Sequence, residues 1–334
     1  IAEWIIDGEP SIDVWAMDVA RFGDYASPQY GTIKSSENYE RRFIMTFPNE
    51  TLPKGRKQKT TALYDRFINQ GAVMGDSFGL ENVLWFANNK EDAHEEPTIK
   101  RSRSHDYVSK EVINVRENVG LIEVANFSKH EFKGPDARKF LDHIMAGRLP
   151  KPGRISLSPM LSYRGKLCGD LTVACLDENE FMVFGSGAAQ EMHRRWFESH
   201  LDKFNLSYSN RSDEYHGLSI AGPNSRKVLE KIVRDDVSNE KFKFRDSRRM
   251  FVGGVPAIIN RISFTGELGY EIYVAPHYQL KLYEELMEAG KEFNIKPFGG
   301  RALMSMRLEK NWGAWTLDYR PDFTAKETGL DMFI

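Results

Sequence analysis

Apolar positions along the chain change their period several times, and each change marks an element. Residues 1–22 carry a helical spacing (Ala2, Ile5, Ile6, then Trp15 and Val19) that Asp7-Gly8-Glu9-Pro10 interrupts. The run YERRFIMTF, from Tyr39 to Phe47, suits a strand, and PNETLPKGRKQK after it is a polar, basic loop with two prolines. The cations between Lys54 and Lys59 could form an anion patch, although a solvated loop is the simpler account. Leu63 to Phe67 leads into QGAVMGDSFGLENVLWF, a Gly-punctuated stretch whose aromatics need something to pack against. NNKEDAHEEPTIKRSR, residues 88–103, is the most polar segment and reads as a linker or long surface loop. Val108, Val112 and Val115 then predict a helix from Tyr107 to Asn118 that Gly120 stops, followed by a strand at Leu121-Ile122-Glu123-Val124.

Beyond Val124 the pattern repeats itself. HEFKGPDARKFLDHI (130–144) and YHGLSIAGPNSRKVLEKI (215–232) share a strand, Gly-Pro, a polar pair, Arg-Lys and a helix, offset by 88 residues from Gly134 to Gly222. Each copy continues into a hairpin and a second strand–helix pair, FMVFGSGAAQEMHRRWFESHL (181–201) and GYEIYVAPHYQLKLYEELMEAG (269–290). The order β-α-β-β-(β)-α, twice, predicts an α+β protein of two related half-domains, each a sheet with helices on one face. Pro135 and Pro223 are expected at the first helical positions.

With 334 residues, two or three domains are expected. A formal charge of −2 offers no electrostatic case for nucleic acid or an anionic membrane, and no apolar run approaches the ~18 residues of a membrane span. The two cysteines, Cys168 and Cys175, form no C-x-x-C and read as core thiols of a reducing compartment. No H-x-x-x-H or H-E-x-x-H spacing suggests a metal. FGSGAAQ (184–190) lacks G-x-G-x-x-G and a P-loop Lys, so it reads as a tight strand-to-helix turn. The chain begins without Met and ends on Met332-Phe333-Ile334, and it is expected to be part of a longer polypeptide.

One acidic residue in a strand draws attention. MLSYRGKLCGDLTV (160–173) reads as two strands around a turn at Tyr163-Arg164-Gly165, with Asp170 in the second. Asp is depleted in strands and costly when buried alone, so Asp170 either caps turn amides or does chemistry. In Gly269-Tyr270-Glu271-Ile272-Tyr273, alternation by itself makes Glu271 an exposed strand residue.

Together VGLIEVANFSKHEFKGPDARKFLDHI, PMLSYRGKLCGDLTV, LSIAGPNSRKVL and ISFTGELGYEIYV resemble the folate-binding aminomethyltransferase module of the glycine cleavage T-protein. RLEKNWGAW (307–315), the segment 63–86 and IAEWIIDGEPSID resemble its fused form in dimethylglycine and sarcosine dehydrogenases. The resemblance covers essentially the whole chain. It implies the T-protein folate-binding fold preceded by a small linker domain. Residues 1–22 would end a flavin-linked oxidoreductase domain, 23–100 form the linker, and 101–334 form the aminomethyltransferase domain, with halves at about 121–205 and 215–334. An FAD domain before this stretch and a C-terminal barrel after it are implied as partners. The implied reaction forms 5,10-methylenetetrahydrofolate from an amine-derived imine. Methyl transfer from a sulfonium donor and a non-catalytic folate-binding module are the alternatives. The implied compartment is cytoplasmic, or the mitochondrial matrix for a eukaryotic source.

By the same resemblance Asp170 is the catalytic carboxylate and Glu271 the carboxylate that meets the two-donor edge of the pterin, while Glu267 reads as a turn acid. Phe264 stands where the family has Tyr, which leaves a ring but no hydroxyl. Leu303 stands where the T-protein has Arg; Arg301 nearby could reach the same space as a folate contact, or Arg307 could be the structural Arg of R-L-E. Phe127 would line the folate cavity or pack in the core, and Tyr163 and Arg164 would face its mouth.

Overall fold

Two mainly antiparallel sheets face each other across an apolar layer, and helices cover their outer sides. The computed structural model describes residues 1–8, 10–48 and 50–334. In chain order the elements are α1 (Ala2–Asp7), α2 (Pro28–Glu40), α3 (Tyr64–Asn69), β1 (Ala72–Ser77), β2 (Leu80–Phe86), α4 (Ser104–Glu117), β3 (Val119–Glu123) and β4 (Phe127–Lys133). There follow α5 (Ala137–Ile144), β5 (Arg154–Leu161), β6 (Leu167–Asp177), β7 (Glu180–Ser186), α6 (Gln190–Glu198), β8 (Ser207–Asn210), β9 (His216–Ala221) and α7 (Ser225–Ile232). The chain closes with β10 (Ser247–Val252), β11 (Val255–Asn260), β12 (Gly269–Val274), α8 (Gln279–Gly290), β13 (Ile295–Pro297) and α9 (Gly300–Glu309).

The duplication read from the sequence is present in the strand order. One sheet runs β5-β6-β7-β4-β8 and the other β10-β11-β12-β9-β3-β13. The first four strands of each occupy equivalent places, and a three-residue 3-10 turn precedes α6 and α8 alike. Both Gly-Pro sites are built identically. Gly134 and Gly222 take φ of 138° and 131°, where a Cβ would lie 2.8 Å from the Leu206 backbone and 2.6 Å from Asn118 O. The prolines do not open the helices. Each lies in a turn closed by Ala137 N–H to Gly134 O (3.0 Å) or Ser225 N–H to Gly222 O (3.1 Å), because Pro suits the second position of a turn.

Three other expectations change. Residues 39–47 form no strand, because Ser27 caps α2, its Oγ accepting from Tyr30 N (3.2 Å), and Pro28 opens it. That helix runs to Glu40, and Phe43, Ile44 and Met45 are then exposed, with no strand to pair. Gly120 does not stop α4 but lies inside β3. A Cβ there would come 2.4 Å from Val115 Cγ2 and 2.6 Å from Phe298, so Gly120 lets helix and strand approach. The helix ends at Asn118, where Asn114 Nδ2 donates to Val119 O (3.0 Å). Finally β3, expected to open the first half, pairs with β9 and β13 of the second sheet, since Val119 and Leu121 bury in that half's core.

The first helical segment is short: Gly8, at φ 80°, ends α1 by donating to Trp4 O (2.9 Å), while Glu9 of the expected break lies outside the described residues. The basic Lys54–Lys59 run is a loop whose cations are largely neutralised, Lys54 by Glu40, Arg56 by Glu81 and Lys59 by Asp213. Residues 87–103 contain neither helix nor strand. The β1–β2 hairpin shares its core with the second sheet through Leu63, Phe67, Ala72 and Val83.

One buried acid ties these parts together. Glu111 of α4 accepts from Phe86 N–H (2.7 Å) on the hairpin and from Gly299 N–H (2.9 Å) at the start of α9. Glu111→Ala would orphan both buried donors and is expected to cost about 2–6 kcal/mol, at roughly 1–3 kcal/mol for each lost acceptor. Denaturant unfolding checks this, and an unchanged midpoint would show that the clamp contributes nothing.

Candidate functional site

Strand alternation decides which side chains enter the layer between the sheets. In β6, Leu171, Val173 and Cys175 pack under α5 and α6, so Asp170, Thr172 and Ala174 face the other sheet. In β12, Tyr270, Ile272 and Val274 pack under α7 and α8, so Glu271 and Tyr273 face inward as well. Both carboxylates singled out in the sequence therefore occupy the inter-sheet layer. The sheets touch where Phe184 of β7 stacks on Tyr273, with ring centroids 4.6 Å apart.

Asp170 lies two residues beyond Thr172, the partner of Phe184, on the same face and opposite Pro159 of β5. It is half-buried, and no other side chain among the described residues hydrogen-bonds its carboxylate or pairs with it. Burial pushes its pKa up to about 7, opposed only by its own backbone N–H. Its charge reaches Tyr319, whose hydroxyl is raised first by burial and then by Asp170. Tyr319 also lines an open pocket of about 410 Å³ with Arg307, Trp312, Asp318, Phe323 and Glu327, a size that suits a small organic ligand.

Glu271 is 9% exposed and accepts from Tyr273 OH (2.9 Å). Burial pushes its carboxyl up to about 7, against the Tyr273 hydrogen bond and the charges of Lys310 and Lys129. Register places it in an inward row across the sheet, Ser247–Asn260–Glu271–Ser219. Within that row Ser247 Oγ donates to Asn260 Oδ1 (2.7 Å), while the buried Asn260 Nδ2 has no partner among the described residues. Lys129 of β4, fully buried, donates to Ala125 O (2.7 Å) and Ser212 O (3.3 Å) and lies 5.9 Å from the Tyr273 ring centroid. Burial lowers its pKa to about 7, with Asp213 and Glu123 opposing.

The remaining residues singled out in the sequence spread more widely. Phe127 faces the same layer and, with Leu303, borders an enclosed cavity of about 50 Å³, room for a water or two and no more. Phe264 is half-buried in the loop between β11 and β12. Arg301 is drawn away from both carboxylates, to Glu95 Oε2 (2.9 Å) and Ser104 Oγ (2.6 Å). Arg307 is buried and orders the following loop through Trp312 O (3.0 Å) and the Asp318 carboxylate. Tyr163 is 85% exposed, at the β5–β6 turn, with its hydroxyl 2.8 Å from His200 Nε2; Arg164 beside it reaches Asp7. Glu267 pairs with Arg116 (2.6 Å), as a turn acid would.

Sequence reasoning passed over Lys129, Tyr273 and Asn260. Tyr273 shares the parity of Glu271, Lys129 shares the parity of Phe127 in the mixed strand FSKHEFK, and Asn260 closes the otherwise apolar VPAII run. Each was visible as a polar residue at a core position.

The GCVT N-terminal domain model matches residues 63–334. The chain belongs to this family. Residues 7–61 match the FAD dependent oxidoreductase central domain. Human mitochondrial dimethylglycine dehydrogenase is 34% identical over 338 residues, which take in all of this chain and 39% of that protein. Human mitochondrial sarcosine dehydrogenase is 27% identical, across 99% of this chain and 40% of its own length. The chain thus spans about two-fifths of these dehydrogenases. Among solved structures, the glycine cleavage system aminomethyltransferase T from Bartonella henselae superposes with a TM-score of 0.69 at 23% identity, covering 82% of this chain and 68% of that one. The GCVT architecture is therefore that of an α+β protein with the two facing sheets described above. Among the described residues no helix is long and apolar enough to cross a membrane, and no three metal-ligating side chains converge.

Proposed function

We propose that this member of the GCVT family transfers a one-carbon unit to tetrahydrofolate, forming 5,10-methylenetetrahydrofolate from the imine of an N-methylated glycine such as dimethylglycine or sarcosine. The observation that carries this reading is a pair of carboxylates, buried Glu271 and half-buried Asp170, that face one layer from two sheets with no cation paired to either among the described residues. The match of residues 7–61 to a flavin-oxidoreductase central domain supports a flavin-dependent amine oxidation as the source of the imine. No residue of this chain is assigned to the flavin. Similarity to dehydrogenases named as mitochondrial supports the mitochondrial matrix for a eukaryotic source and the cytoplasm for a bacterial one.

The residues fit a reduced pterin. Glu271 accepts the Tyr273 hydroxyl through Oε2, and among the described residues its neighbour Asn260 has a buried donor without a partner. A carboxylate can accept both the 2-amino and the N3–H donors of a pterin edge. Tetrahydrofolate, when bound, supplies the two nitrogens that take the carbon. Glu271 fixes the orientation of that ring, and Tyr273 holds Glu271 through its hydroxyl. Asp170 accepts the proton released at the reacting nitrogen and, once ionised, steadies positive charge beside it. With a pKa of about 7, Asp170 has a working share of its base form at neutral pH. The 410 Å³ pocket at Tyr319 suits the tail of the ligand.

Calorimetric titration of tetrahydrofolate into this chain tests the reading directly. Saturable binding with one site per chain is expected, and heat indistinguishable from dilution would overturn it.

A further inference from the structure

The inward row of the second sheet holds a donor that the protein itself does not use. Asn260 is fully buried, its Oδ1 takes the Ser247 hydroxyl hydrogen at 2.7 Å, and its Nδ2 meets no acceptor among the described residues. Native interiors leave few such groups, because an unmet buried N–H is costly. Asn260 pairs directly with Glu271 across β11 and β12 and points to the same face, which sets the side-chain origins about 5 Å apart. The Ser247 hydroxyl occupies the Oδ1 end of the amide, and the N–H end is left without an acceptor among the described residues.

From this arrangement we infer that Asn260 reads the 4-oxo group of the pterin and so makes the site selective for 4-oxo over 4-amino rings, an inference that rests on the folate reading above. A tetrahydropterin edge presents, in order, the 2-amino donors, the N3–H donor and the O4 acceptor. The sheet presents two carboxylate oxygens on Glu271 and then, one strand over, an amide N–H. The orders are complementary. A 4-amino ring has a donor where O4 would be and no hydrogen on N3, so it faces Asn260 Nδ2 donor to donor.

The test is calorimetric titration of tetrahydrofolate and of its 4-amino-4-deoxy analogue into the full chain, with thermal unfolding of each variant as a check on folding. The wild type is expected to bind the 4-oxo form at least about tenfold more tightly, the usual scale for a buried hydrogen bond met or unmet. Asn260→Leu is expected to weaken tetrahydrofolate about tenfold and leave the analogue nearly unchanged, collapsing the ratio. Ser247→Ala makes a smaller change in the core and frees the amide to turn, so it is expected to lower the ratio several-fold and decides the matter if the leucine variant does not fold. A purely structural Asn260 would alter both affinities together. Equal binding of the two ligands by the wild type, or an unchanged ratio in the folded variants, overturns the role of Asn260 and leaves the folate reading standing. Failure of the wild type to bind either ligand removes both.

Discussion

Asp170→Asn is expected to slow 5,10-methylenetetrahydrofolate formation by about 10²–10⁴-fold, the range over which a positioned general base acts, while tetrahydrofolate affinity changes by no more than a few-fold. The amide keeps the size and polarity of the side chain and loses its capacity to accept a proton. The rate is measured with tetrahydrofolate and a preformed sarcosine iminium, above the uncatalysed background. In the wild type it should rise with pH through about 7, where Asp170 ionises, and in the variant that limb should flatten. Stability moves the other way. A carboxyl raised from 3.8 to about 7 keeps its proton in the folded chain where the unfolded chain has lost it. Its favourable share is full below the unfolded value and is lost as pH rises past the folded one. Asp170→Asn should therefore stabilise the protein at pH 8, on the order of 1–3 kcal/mol, and do little at pH 4. A variant equally active, or less stable at pH 8, would remove Asp170 from the chemistry.

Glu271→Gln should weaken tetrahydrofolate binding about ten- to a hundred-fold, since a charge-assisted contact contributes ~1.5–3 kcal/mol. Gln offers one acceptor where the carboxylate offers two, and its own N–H₂ would face a pterin donor. Because burial holds Glu271 protonated up to about 7, and the ionised form takes both donors, wild-type affinity should strengthen from pH 6 to pH 8. That dependence should vanish in the variant. Calorimetry at the two pH values separates this from a loss of folding, which would abolish binding at both. Unchanged affinity would assign Glu271 to the core.

The two carboxylates were found in the sequence by different means. Asp170 stands out because an acid inside an apolar strand is expensive, so its presence asks for a reason. Glu271 does not stand out, because strict alternation makes it a solvent-facing residue until a second sheet covers that face. Its assignment came through resemblance, and its burial came from the opposing sheet. Arg301 shows the reverse failure. Its position beside the expected Arg site suggested a ligand contact, yet the loop before α4 supplies Glu95 and Ser104 and holds it there.

Local pattern by itself determined the duplicated α+β order and the strand-to-helix turn at 184–190, because these depend on side-chain period and on backbone angles that a few residues permit; it marked the two Gly-Pro sites but put their prolines in the helices rather than in the turns before them. Non-local pairing decided the rest. No local rule sends β3 into the second sheet, where its pairing with β9 and the burial of Val119 and Leu121 place it. The Ser27-Pro28 helix start, which the sequence reading passed over, carries the chain to Glu40 and leaves the strand expected at 39–47 without a partner, because a capped helix satisfies its own backbone and an unpaired strand does not. The site itself is tertiary: Lys129, Tyr273, Asn260 and Glu271 come from three strands of two sheets, and their burial exists only once both inner faces meet.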